Sequence, residues 1–279
     1  METIKNIITD NDKRGISMLL PHVSDTVCED AANIILNNPN KAIILTGFYI
    51  LSAGAAETDG PIGAIAIGNA LKNIGYHVTY ITDEFSQPPI KKVLSADDNL
   101  EIFPMQNHEQ SAITADKMIS DLNPSLIISI ERCGPTVNGD YLNSRGKKIE
   151  EFNSKTEYLL NNNIPSIGIG DGGNEIGMGN LKHVIKNSTE LSNPPCITTT
   201  DLLIPASTSN WGGYGLVAGL SKITNKNLLP SIPEDEKLIK DFVDAGGVDG
   251  ITATSSYKVD SFELEVNSSI LNRLHKLIQ

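Results

Sequence analysis

Lys41–Gly47 reads KAIILTG, and Pro61–Gly75 reads PIGAIAIGNALKNIG. The first is a short apolar run closed by glycine, the pattern of a strand buried on both faces. The second places a proline where a helix would begin and repeats Ile67, Ala70, Leu71 and Ile74 at helical spacing. A strand followed by a helix is predicted, and the same alternation continues outward along the chain.

His77–Thr82 (HVTYIT) and Leu100–Met105 (LEIFPM) read as further strands, the latter followed by a helix near Glu109–Leu122. Ser125–Glu131 (SLIISIE), Ser166–Asp171 (SIGIGD) and Asp201–Ser207 (DLLIPAS) complete a set of six, with a helix predicted over Lys147–Asn161. WGGYGLVAGLSKI follows the sixth strand, a polar helix spans SIPEDEKLIKDFVDAGG with Gly246 or Gly247 as its cap, and Glu263–Ile278 is helical. Alternation with short links implies an α/β fold: an open, mostly parallel, doubly wound, Rossmann-like sheet with helices on both faces. There is no repeat, low-complexity tract or linker, so residues 1–279 read as a single α/β domain. Residues 1–40 read as a helical N-terminal segment packed on its edge.

Composition narrows the function classes. Twenty-two basic residues against 34 acidic ones give a net charge of −12. Nucleic-acid and anionic-membrane partners are therefore disfavoured, while a small anionic ligand in a local pocket is not. No apolar run approaches a membrane span, and the start of the chain lacks a secretory pattern. Cys28, Cys133 and Cys196 are scattered and odd in number, which fits buried thiols in a reducing cytoplasm better than disulfides or zinc. Homo-oligomerisation is left open.

In open parallel sheets ligands bind beyond the carboxyl ends of the strands. The polar residues fall at those ends: Thr46, then Glu57, Asp59 and Gly60, then Glu131 and Arg132, then Asp171, and finally Asn210 and Trp211. The candidate catalytic set is Glu57, Asp59, Glu131, Asp171 and Glu175. Two carboxyls with pKa values pushed apart would serve as acid and base. Alternatively, Asp59 and Asp171 would hold a hard divalent cation. The bland reading is also open, since Asp59 would cap a helix and Glu131 would pair with Arg132.

Gly168–Gly179, GIGDGGNEIGMG, contains a G-x-G-x-x-G match, but after the fifth strand and without the acid that closes a dinucleotide site. No dinucleotide is expected. Gly172 and Gly173, with a helix starting near Asn174, would instead aim N–H groups at a carboxylate or phosphate. There is no G-x-S-x-G and no phosphate-binding loop of the G-x-x-x-x-G-K type, and His77 and His108 read as structural or solvated.

ETDGPIGA at Glu57, ER-x-G at Glu131, NGDYLNSRG, GIGDGGNEIGMG, SNWGGYGL and GGVDGITA occur in that order. Together they resemble the C-terminal catalytic domain of the D-glutamate cyclase family over roughly residues 15–265. Pro135 stands where the family pattern often has arginine, and the family's eukaryotic enzyme has an extra N-terminal domain that this chain does not contain. The resemblance implies a carbon–oxygen lyase that cyclises D-glutamate to 5-oxo-D-proline with loss of water. Thr46, Gly60, Arg132, Gly172, Gly173, Asn174, Asn210 and Trp211 would contact the small amino-acid substrate. The rival readings are a divalent-metal-dependent hydrolase or lyase acting on another small carboxylate or phosphate, and a non-catalytic small-acid-binding protein.

Overall fold

A computed structural model describes residues 2–279. Its six-stranded parallel sheet comprises β1 (Lys41–Thr46), β2 (His77–Thr82), β3 (Asn99–Ile102), β4 (Leu126–Ile130), β5 (Ser166–Gly170) and β6 (Leu202–Pro205). In space the order is β3-β2-β1-β4-β5-β6, so the chain reverses direction across the sheet between β1 and β4. The predicted α/β class is the one observed. Reversal of this kind opens a crevice at the carboxyl ends of the two central strands.

Strand side chains alternate between two layers. Ala42 and Ile44 of β1 join one core with Ile128, Ile167 and Ile204, while Ile43 and Leu45 join the other with Ile81, Phe103 and Ile127. The first layer is covered by α1 (Ile4–Ile8), α2 (Val27–Asn37) and α3 (Pro61–Asn73), together with α7 and α9 introduced below. The second is covered by α5 (His108–Leu122) and the short 3-10 turn Thr156–Leu160. A peripheral helix, α4 (Gln87–Val93), and the single turn α6 (Lys182–Ile185) complete the middle of the chain.

Three more helices follow β6 or close the chain: α7 (Ser209–Thr224), α8 (Ile232–Asp244) and α9 (Leu264–Leu277). Serine 231 and Glu234 form a capping box at the start of α8. Buried α7 packs against both α2 and α3. A Cβ on Gly213 would lie 3.1 Å from the Gly63 Cα, so the α3–α7 crossing depends on two glycines. That crossing brings the N-terminus of α7 against the loop before α3.

One expectation is corrected. Lys147–Asn161 is not an α-helix; it contains only the 3-10 turns Glu150–Phe152 and Thr156–Leu160. Between them the Ser154 carbonyl and hydroxyl accept from Arg132 and the Asn153 amide bonds the Cys133 carbonyl, so these groups serve neighbours and not a helical ladder. In the first forty residues α1 and α2 pack against α7, and α2 and the turn Ile16–His22 also meet the edge strand β6.

Candidate active site

Register carries the acids to one place. Thr46 pairs with Ile130, and Ile130 with Ile169, so Gly47, Glu131 and Gly170 step off neighbouring strands together. Glu131 turns sharply there with φ +46°, a left-handed backbone that is costly for a residue with a Cβ. Gly60 packs under it. A Cβ at Gly60 would lie 2.5 Å from the Glu131 Cβ and 3.1 Å from the Thr46 hydroxyl.

Asp59 is held by α7. Its two carboxylate oxygens accept from the backbone N–H groups of Asn210 at 2.7 Å and Ser209 at 2.8 Å. It caps the helix after β6 rather than the one that follows it in sequence. Asn210 returns the contact, its side-chain oxygen accepting from the N–H groups of Gly60 and Gly63 at 2.9 and 2.7 Å. The Ser209 hydroxyl donates to Glu131 Oε2 at 2.5 Å.

The glycine-rich turn after β5 differs from its reading. No helix begins at Asn174, and the N–H groups of Gly172 and Gly173 each donate at 2.8 Å to the carboxylate of Glu175. The turn thus binds an internal carboxylate at the place where a ligand anion was expected. Gly173 has φ +97°. Gly173→Ala is expected to lower stability by about 1 kcal/mol or more, read as a fall in denaturant midpoint.

One oxygen from each of Asp59, Asp171 and Asp260 lies within 4.8 Å of the others, and the same holds for Glu131, Asp171 and Glu175. Asp171 belongs to both groups. It is fully buried, and neither of its oxygens receives a hydrogen bond. Its partner is an ion-pair contact at 2.8 Å from Arg14, which also donates to Asp260 at 3.1 Å. A cleft of about 70 Å³ opens over this group, lined by Arg14, Glu57, Glu131, Asn174 and Asp260, with exposed Arg145 and Lys147 at its margin. Asn174 is engaged at both ends, by the Leu142 carbonyl at 3.1 Å and the Ser192 hydroxyl at 3.0 Å.

Arg132 and Trp211 are not at the cleft. Arg132 is fully buried and donates to the Gly47 carbonyl, Asp83, Ser154 and Thr156. Trp211 is equally buried, its indole N–H donating to Asn267 at 2.7 Å and its ring packed on Phe262. Arg14 and Asp260 also belong to the site, although no strand-end or glycine motif marks either one. Asp260 is carried by a left-handed turn that Asp249 holds through the Ser261 N–H at 2.7 Å.

Burial dominates the titration of these carboxyls. It pushes Glu57 well above the ordinary range, with Glu131 adding to the effect. It does the same for Glu131, reinforced by Glu175 and Asp59, and for Asp171, where Arg14 opposes it. Asp59 is pushed up to about 7, chiefly by burial and then by Asp260, against the pull of its two helix N–H donors. Away from the cleft, burial takes Glu157 and Asp235 to about 7.

Each folded-state pKa lies above its ordinary value, so between the two the folded chain binds more protons than the unfolded one. Stability then rises as pH falls from about 7 towards the ordinary values, and is insensitive to these three groups above about 7. The thermal midpoint is expected to be several degrees higher at pH 5.5 than at pH 8. A midpoint lower at pH 5.5 than at pH 8 would show these groups to be ionised in the fold.

The model for the D-glutamate cyclase-like C-terminal family matches residues 4–275. The chain belongs to that family. Human mitochondrial D-glutamate cyclase is 28% identical over 235 residues, which is 76% of this chain and 37% of that protein. The chain thus spans little more than a third of that curated relative's length. An exopolyphosphatase-related protein from Bacteroides fragilis is loosely similar in structure, with a TM-score of 0.47, 11% identity, and coverage of 91% of this chain and 57% of that one. No helix among the described residues is long and apolar enough to cross a membrane.

Proposed function

We propose that this chain is a carbon–oxygen lyase that closes D-glutamate to 5-oxo-D-proline and water. The observation that carries the reading is the pair Glu57 and Glu131, both lining one cleft and both held towards the protonated form by burial and by neighbouring carboxylates. The family relation supports the same substrate class.

The reaction needs two protons moved from nitrogen to oxygen. The substrate's ammonium must become the amide N–H, and the side-chain carboxylate must lose one oxygen as water. A protonated carboxyl gives its proton to the substrate carboxylate, raising the electrophilicity of that carbon. The carboxylate so formed takes a proton from the ammonium, freeing the lone pair for attack. A second passage, from the nitrogen to the departing hydroxyl, completes the water. Glu57 and Glu131, which burial raises well above the ordinary carboxyl range, suit both directions. Attack within one molecule makes orientation the protein's main task.

A divalent cation fits the donor set beneath the cleft. Asp59, Asp171 and Asp260 offer hard oxygen ligands, and Asp171 has two buried oxygens without hydrogen bonds. Bound there, a cation would neutralise charge and act as a Lewis acid. Adding manganese or magnesium at pH 8 is expected to raise the thermal midpoint, by about 2.7 kcal/mol of stabilisation at a hundredfold excess over Kd. Asp171→Asn should remove the rise, and a midpoint indifferent to both metals would exclude the site.

The reading is tested by incubating the purified chain separately with D- and L-glutamate and following 5-oxoproline by chiral chromatography, with and without chelator. Formation from the D-isomer supports it. Binding of D-glutamate without turnover under any of these conditions would favour a small-acid-binding protein. Turnover of a different small carboxylate alone would favour the other lyase or hydrolase reading.

A further inference from the structure

Arg14 is a cation without a part in the proton transfers. It lies outside the sheet, on the turn after α1. The Asp12 carboxylate accepts from the N–H groups of Arg14, Gly15, Ile16 and Ser17 at 3.0, 2.8, 3.1 and 2.8 Å, so one side chain fixes the whole turn. Gly15 completes it at φ +86°. The Arg14 side chain then reaches across to the end of β5 and lines the cleft beside Glu57 and Glu131.

Its guanidinium is only partly used. Nη1 meets Asp171 and Asp260. A guanidinium offers five N–H donors in a planar fork, and its Nε–Nη2 edge matches the two oxygens of a carboxylate. Among the described residues that edge makes no hydrogen bond, on a side chain only 19% exposed. Gly172 keeps the neighbouring space clear, since a Cβ there would lie 2.3 Å from Nη2. The Glu175 carboxylate, which also lies beside Gly172, is already bound to two N–H groups.

We infer that Arg14 is the receptor for the carboxylate of the substrate that does not react, gripping it through the Nε–Nη2 edge. The inference rests on the cyclase reading for the identity of that substrate. A carboxylate anchored at Arg14 leaves the ammonium and the second carboxyl facing Glu57 and Glu131. The competing role is that of a counter-ion to Asp171 and Asp260 alone.

The test compares two lactams by calorimetry: 5-oxo-D-proline, and 2-pyrrolidinone, which is the same ring without the carboxylate. Arg14→Gln should weaken 5-oxo-D-proline binding by roughly ten- to a hundredfold, the worth of a hydrogen-bonded charge pair. Binding of 2-pyrrolidinone should be unchanged. Arg14→Lys keeps the charge but loses the fork, and should also weaken the lactam acid; it carries the test should Arg14→Gln not fold. Equal 5-oxo-D-proline affinity in a folded variant, with only the thermal midpoint lowered, would overturn the inference in favour of the counter-ion role. Glutarate as a second probe separates the two readings. If wild type binds glutarate but not 5-oxo-D-proline, and Arg14→Gln abolishes that binding, the carboxylate receptor stands and the cyclase reading falls. If wild type binds neither acid, the receptor is overturned.

Discussion

Glu131→Gln is expected to lower kcat for 5-oxo-D-proline formation by at least about a thousandfold while changing KM little. Glutamine fills the same space and still accepts the Ser209 hydroxyl, so the geometry at the end of β4 is kept. What it loses is the exchangeable proton. Glu131 lines the cleft and is held towards the protonated form by burial, with Glu175 and Asp59 adding repulsion. A neutral amide removes that repulsion, so the variant should match or exceed wild type in thermal midpoint at pH 8. Loss of turnover with stability kept or raised is a combination that misfolding cannot produce. A kcat within tenfold of wild type would remove Glu131 from the proton path.

The left-handed backbone at Glu131 fits that role. Strained conformations persist where the surrounding structure over-determines them. Here Gly60 gives the carboxyl stem its space, and the Ser209 hydroxyl gives the carboxyl group its direction. Asp59 in turn holds Ser209 and Asn210, so the helix N-terminus and the loop before α3 form one rigid frame.

The fold was legible in the sequence because all six strands read as short apolar runs and a helical period follows β1, β3 and β6, although β4 and β5 are followed only by short turns. Asp59, Glu131 and Asp171 were legible because the strand-end rule needs only the strands. Arg14 and Asp260 were not. They lie on turns outside the alternation, placed by Asp12 and Asp249, and no periodicity marks either one. Arg132 was misread for a local reason. It follows Glu131 in sequence but leaves the strand end in a different direction, towards Asp83 after β2. The glycines of the β5 turn were ambiguous in principle, since a turn that holds an internal carboxylate and one that holds a ligand require the same residues. Only the position of Glu175 distinguishes them.

Arg132→Met is expected to be the most damaging single substitution for stability, costing roughly 3–5 kcal/mol in urea unfolding. The guanidinium is fully buried and ties the ends of β1, β2 and β4 through the Gly47 carbonyl at 2.8 Å, Asp83, and the Ser154 carbonyl at 2.9 Å. Methionine fills much of the volume but leaves the Asp83 carboxylate buried without its cation. That uncompensated charge, rather than the lost attraction, supplies most of the cost. Pairing the change with Asp83→Leu removes the stranded charge, and the double variant should recover a large part of the loss. Recovery should be incomplete, because the Gly47 and Ser154 carbonyls still lose their donors and the N–H groups of Phe85 and Ser86 lose the Asp83 acceptor. A double variant as unstable as the sum of the two single ones would show that Arg132 acts through the backbone carbonyls, and that its ion pair with Asp83 contributes nothing.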